Sequence, residues 1–183
     1  EIILSEFLTL MVNINLILEQ EEHEIRADMG KLQAILDETH EFLDQIAIQD
    51  ADSPAARQLI ALMHAIDHMQ RLHERCDEDL ERAILASHRP ELVDAKRVLD
   101  EQIDLIIDAV ERRDLVSASD LAEHTWQNTQ EMEQRGRDSI YAAVARDTFD
   151  IRYATECAEA LRWLTRVSRH ISRICYYLGQ GER

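Results

Sequence analysis

Residues 161–178, "LRWLTRVSRHISRICYYL", decide the fold class. Leu161, Leu164, Ile171, Ile174 and Leu178 recur at intervals that line one face of a helix, and Arg162, Arg166, Arg169 and Arg173 line another. A strand would bring every second side chain to one face, and this stretch does not alternate that way. Upstream, Ile151, Ala154 and Ala158 extend the apolar stripe, and downstream Gly179 is expected to end the helix. Only four glycines and two prolines occur in 183 residues, so the chain has few places where a helix must break. An all-α fold of long helices follows.

Working back from that helix, Arg146-Asp147-Thr148 reads as a turn with a capping residue. A fifth helix begins with Asp114 as its cap and runs through Leu115, Ala118, Ala122, Trp126, Thr129, Met132, Gly136, Ile140 and Ala143. Its small residues permit a close approach to a neighbour. Pro90 opens a fourth helix through Leu99, Ile103, Ile106 and Val110. Ser53 and Pro54 open a third, since a serine hydroxyl caps a helix and proline suits its first position. That helix carries Leu59, Leu62, Ile66, Met69, Leu72 and Cys76, then an acidic stretch, then Leu80, Ile84 and Leu85. The second, over about 20–48, carries Ile25, Met29, Leu32, Ile35, Leu36, Phe42, Leu43 and Ile46. Residues 1–18 are apolar on more than one side, and the break between the first two helices is expected in the acidic run Glu19, Glu21, Glu22 and Glu24. Six helices are expected in all.

A shift of 102 residues lays Leu59, Leu62, His68 and Arg71 on Leu161, Leu164, His170 and Arg173 without change. The third helix therefore repeats in the sixth, which predicts one domain over 1–183 made of two three-helix halves, 1–88 and 89–183. The two segments, "LIALMHAIDHMQRLHERC" at 59–76 and "LRWLTRVSRHISRICYYL" at 161–178, resemble the paired signature helices of PhoU-like proteins. The second is most similar to the cytoplasmic C-terminal domain of bacterial sodium/phosphate symporters. The resemblance implies a six-helix PhoU-like bundle of two antiparallel three-helix halves. It further implies a regulatory role in phosphate transport exercised by protein contacts, with the transmembrane part of a phosphate transporter as partner. A free-standing PhoU-like phosphate-signalling regulator is the alternative, and a metal-binding helical bundle is a third.

Composition narrows the partners. The formal charge is −17, from 37 Asp and Glu against 20 Lys and Arg, which disfavours nucleic acid and anionic membrane surfaces. Cys76, Cys157 and Cys175 are odd in number and lack metal-ligand spacing, which suits a reducing compartment. Residues 7–18, the longest apolar stretch, include Asn13 and Asn15 and are too short to span a bilayer, so no direct insertion by this segment is expected. The start at Glu1 rather than Met, taken with the resemblance, predicts a cytoplasmic chain tethered to the inner membrane through an upstream transmembrane region. The apolar excess of residues 1–18 also predicts a homo-oligomer.

Several residue groups invite a chemical reading. PhoU-like proteins hold metal on E-x-x-x-D pairs of the signature helices; here those positions are Met63 with Asp67 and Thr165 with Arg169. His64 and His68 lie one turn apart beside Asp67, with His170 at the repeated position. This set would take a divalent or transition metal ion; the alternative is that its members are hydrogen-bonded along the helix seam or exposed. No Glu-x-x-His occurs, so a ferritin-like di-iron site has no basis. Arg162, Arg166, Arg169 and Arg173 offer guanidinium forks to an anion, or ion pairs to acidic neighbours. Neither a glycine-rich phosphate loop nor a nucleophile elbow is present, and no enzymatic activity is expected.

Overall fold

A computed structural model describes residues 2–19, 22–46, 50, 52–78 and 80–180, and they are all-helical. The elements are α1 (Ile2–Glu19), α2 (Glu22–Asp44), α3 (Pro54–Glu78), α4 (Leu80–His88), α5 (Val93–Glu111), α6 (Leu115–Ala145) and α7 (Ile151–Gln180), with a 3-10 turn at Pro90–Leu92. Seven α-helices thus stand among the described residues where six were expected. The expected third helix corresponds to α3, described to Glu78, and α4, described from Leu80; Asp79, between them in the acidic stretch after Cys76, lies outside the described residues. Gln20 and Glu21, between α1 and α2, also lie outside them, as do the side chains of Ile25 and Met29.

Helix ends show why the boundaries fall where they do. Ser53 Oγ accepts the amide of Ala56 at 3.1 Å, and Pro54 occupies the first helical position of α3, as the sequence predicts. Asp114 Oδ1 caps α6 by accepting the amide of Ser117 at 3.1 Å. At α7 the cap is Asp150, whose Oδ1 accepts the amide of Tyr153 at 2.9 Å, rather than Asp147 or Thr148. Those two residues instead close α6, with Thr148 N–H donating to the Ala143 carbonyl and Asp147 N–H to that of Val144. This six-to-one and five-to-two pairing is a Schellman ending, and Asp147 takes the left-handed conformation it requires, at φ 56°. Arg113, at φ 58°, closes α5 through the same pairing.

The core forms around two helices, α1 and α7. In α1, Phe7, Leu10, Met11, Ile14 and Leu18 are fully buried against α2, α3, α4 and α5. The apolar surface that suggested self-association is therefore largely consumed inside the chain. In α2 the buried stripe is Leu32, Leu36 and Leu43, and Ile35 and Phe42 of the broader expected pattern face out, as does Ile46 just past the helix. α7 is the other centre, packed against α3, α4 and α6. Gly179 does not stop it: the helix continues to Gln180, and Gly179 is buried where an added Cβ would lie 3.3 Å from the Leu115 carbonyl oxygen. Close approach to α6, not helix termination, is what needs a small residue there.

Candidate functional site

α3 and α7 run antiparallel. His68 meets His170, and seven residues further along α3 the Arg75 carbonyl meets Trp163, seven residues back along α7. Ala65 and Val167, both fully buried, keep this seam narrow enough for polar side chains on its edge to touch. His68 Nδ1 lies 3.1 Å from His170 Nδ1. A ring nitrogen either donates or accepts, so this contact requires one ring to carry a proton on Nδ1 and the other to present a lone pair. Burial lowers the pKa of both. His170 is pushed down to about 4, first by desolvation and then by the charges of His68, Arg71, Arg75 and Arg169. His68 is lowered by desolvation and by Arg71, Arg173 and His64, against the opposing pull of Asp67.

The other two candidate ligands turn elsewhere. His64 stacks on Tyr177, with ring centroids 4.8 Å apart, and His68 stacks on the same ring at 5.9 Å. Asp67 Oδ2 accepts from Arg71 Nε at 3.0 Å. The structure therefore brings His68 and His170 together but does not converge the set His64, Asp67, His68 and His170 on one point. Among the described residues, no group of three or more His, Cys, Asp or Glu side chains is arranged to hold a metal ion. The physical reason is local: one histidine lone pair is spent on its partner, and the carboxylate on a guanidinium. Beside the pair lies an open polar groove of about 320 Å³, lined by Asp67, Gln70, Arg71, Glu74, Arg75 and His170.

On the other flank of α7, against α6, runs a set of hydroxyls that pattern reading did not single out. Thr129 Oγ1 and Ser168 Oγ share a buried hydrogen bond of 2.6 Å, and Ser172 Oγ donates to Glu123 Oε2 at 2.8 Å. Thr165 donates to the carbonyl of Leu161 at 3.2 Å and to that of Thr129 at 3.3 Å. The available signal was the spacing of Thr165, Ser168 and Ser172, which puts three hydroxyls on one helix face. Gly136 lets the same two helices close, since a Cβ there would stand 2.7 Å from Leu161 Cδ1.

The arginines occupy the outer face of α7. Arg162 Nε reaches Glu133 at 4.0 Å, whereas Arg166, Arg169 and Arg173 make no ion pair among the described residues. The guanidinium carbons of Arg169 and Arg173 each sit 5.9 Å from the ring centroid of Trp126 on α6. Past Arg173 opens a groove of about 980 Å³ between the starts of α3 and α6 and the end of α7, lined in part by Arg57, Val116, Asp120, Glu123 and Tyr176. Cys76, Cys157 and Cys175 are buried free thiols, and burial raises the pKa of all three, that of Cys76 to about 12. They are held as protonated core residues, not nucleophiles. No described helix is long and apolar enough to cross a membrane. Comparison of the chain with protein-family models, with curated proteins and with solved structures finds no match in any of the three.

Proposed function

We propose that the chain is a regulatory helical bundle of the PhoU-like kind, acting on phosphate transport by contact with a sodium/phosphate symporter rather than by chemistry. The observation that carries the reading is the meeting of His68 and His170. They are the repeated histidines of two sequence-related helices, and those helices pack antiparallel with the two rings meeting through their Nδ1 atoms at a tilt of 52°. Antiparallel copies related by a local two-fold axis bring equivalent residues together where the axis passes, as expected of two three-helix halves sharing one core. The resemblance of the same two helices to PhoU-like signature helices supplies the functional class.

Fractionation of the native protein from its own cells, probed with an antibody against this bundle, tests the reading. A signal that pellets with membranes, resists salt and alkaline washing and migrates well above 21 kDa is expected. A soluble signal near the 21.3 kDa of this chain would replace the symporter with a free-standing regulator that meets its partner from solution.

A further inference from the structure

The arginine row on α7 is the part of the surface that runs against the character of the whole chain. Arg162, Arg166, Arg169 and Arg173 follow one another at four-, three- and four-residue steps, so they form a single stripe about 16 Å long. In a chain of net charge −17, three of these four have no carboxylate partner among the described residues. The row ends at Tyr176 and Val116, 44% and 42% exposed, at the mouth of the 980 Å³ groove.

We infer that this row and the adjoining groove dock an acidic amphipathic helix of a partner protein, with its carboxylates on Arg166, Arg169 and Arg173 and an apolar side chain against Tyr176 and Val116. The length of the row argues against a small anion: neighbouring arginines stand about 5–6 Å apart, so one oxyanion reaches two of them and leaves the others unanswered. A helix with Asp or Glu at matching three- and four-residue steps answers all of them, and its carboxylates accept the fork geometry of guanidinium. Nucleic acid and anionic bilayers are the poorer complement. They carry charge well beyond the stripe, over flanks that hold Glu133, Glu159, Asp120 and Glu123. The surplus negative charge elsewhere on the chain does not prevent a local contact, because fields are screened over about 8 Å at physiological salt. Trp126, beneath Arg169 and Arg173, holds both guanidinium groups on the α6 side of the row.

The inference deepens the contact-based reading by giving the contact a surface, and it stands whether the chain is membrane-tethered or free. The test is fluorescence anisotropy with a labelled synthetic helix carrying Glu at i, i+4, i+7 and i+11 and Leu one turn beyond, measured on the whole chain. The expected result is saturable binding that quenches or shifts Trp126 emission and is lost when the four Glu are replaced by Gln. The double variant Arg166→Glu/Arg169→Glu should weaken it at least tenfold with an unchanged helical circular dichroism spectrum. If that variant unfolds, Arg169→Gln must still weaken binding several-fold. No binding, equal binding by the Gln peptide, or indifference to these substitutions overturns the proposal. So does tighter binding of phosphatidylglycerol vesicles or single-stranded DNA through the same arginines. Fractionation with membranes or with the soluble phase leaves this result untouched, so failure of one reading is distinguishable from failure of the other.

Discussion

One proton serves two rings where His68 faces His170, and this fixes how the seam responds to acid. In the unfolded chain both histidines titrate near pH 6.5, whereas the folded pKa values lie lower, that of His170 at about 4. The unfolded state therefore binds more protons between these limits. The stability this contributes is complete above pH 6.5, falls as the pH drops toward 4, and is constant below that. Arg71, Arg75, Arg169 and Arg173 press in the same direction, and Asp67 opposes them at His68. The expected loss from pH 7.5 to pH 4.5 is on the order of 1–2 kcal/mol after allowance for solvent screening. Urea melts of the wild type and of His68→Gln/His170→Gln at both pH values check it; an equally steep acid loss in the variant would refute the assignment. The thiols give a second expectation. Cys76 and Cys175 are each 1% exposed and protonated, so a thiol reagent at neutral pH should label them only at the rate of unfolding. Immediate labelling in native buffer would contradict their burial.

Single helices carry local costs that substitution can relieve. Asp147 holds the left-handed turn at the end of α6 with a side chain, where glycine adopts that conformation without the Cβ clash. Asp147→Gly is expected to raise the unfolding free energy by about 1 kcal/mol. Gly30 is the converse case, exposed within α2 with nothing within 4 Å of an added Cβ, so Gly30→Ala should add about 0.5–1 kcal/mol. Denaturant midpoints at unchanged slope measure both; a fall for either would mean that the turn or the α2 helix has another geometry. These positions also show what sequence could and could not give at this scale. Ser53, Pro54 and Asp114 were legible as helix starts because capping chemistry depends on neighbours three residues away. Asp150 and Gly179 were not, because a second capping candidate stood three residues before Asp150, and the need for glycine at 179 arises from Leu115, 64 positions earlier.

At the scale of the molecule, apolar periodicity sufficed for the all-α class, and the 102-residue shift pointed to the two helices that carry the paired histidines. Periodicity could not say which of two adjoining stripes on α2 faces inward, since Leu36 and Ile35 satisfy it equally and only the neighbours distinguish them. Nor could apolar periodicity show that Asp67 would pair with Arg71 rather than turn to the histidines; the i,i+4 spacing permits that pair, and the rotamers decide it. Trp163 is the side chain that best reports the assembled bundle. It is 1% exposed, and its indole N–H donates to the Arg75 carbonyl at 2.9 Å, near the described end of α3. Trp163→Ala should cost about 3–5 kcal/mol by cavity formation, read from urea melts, and a loss under 1 kcal/mol would show that this seam is not close-packed. The central place of α7 bears finally on how the protein is made. α3, α4 and α6 emerge from the ribosome before α7, against which all three pack, so the faces that α7 covers stay exposed until that helix follows. A nascent chain halted before Ile151 would present those faces to chaperones and proteases, and the length of that exposure, rather than final stability, would set how much protein survives synthesis.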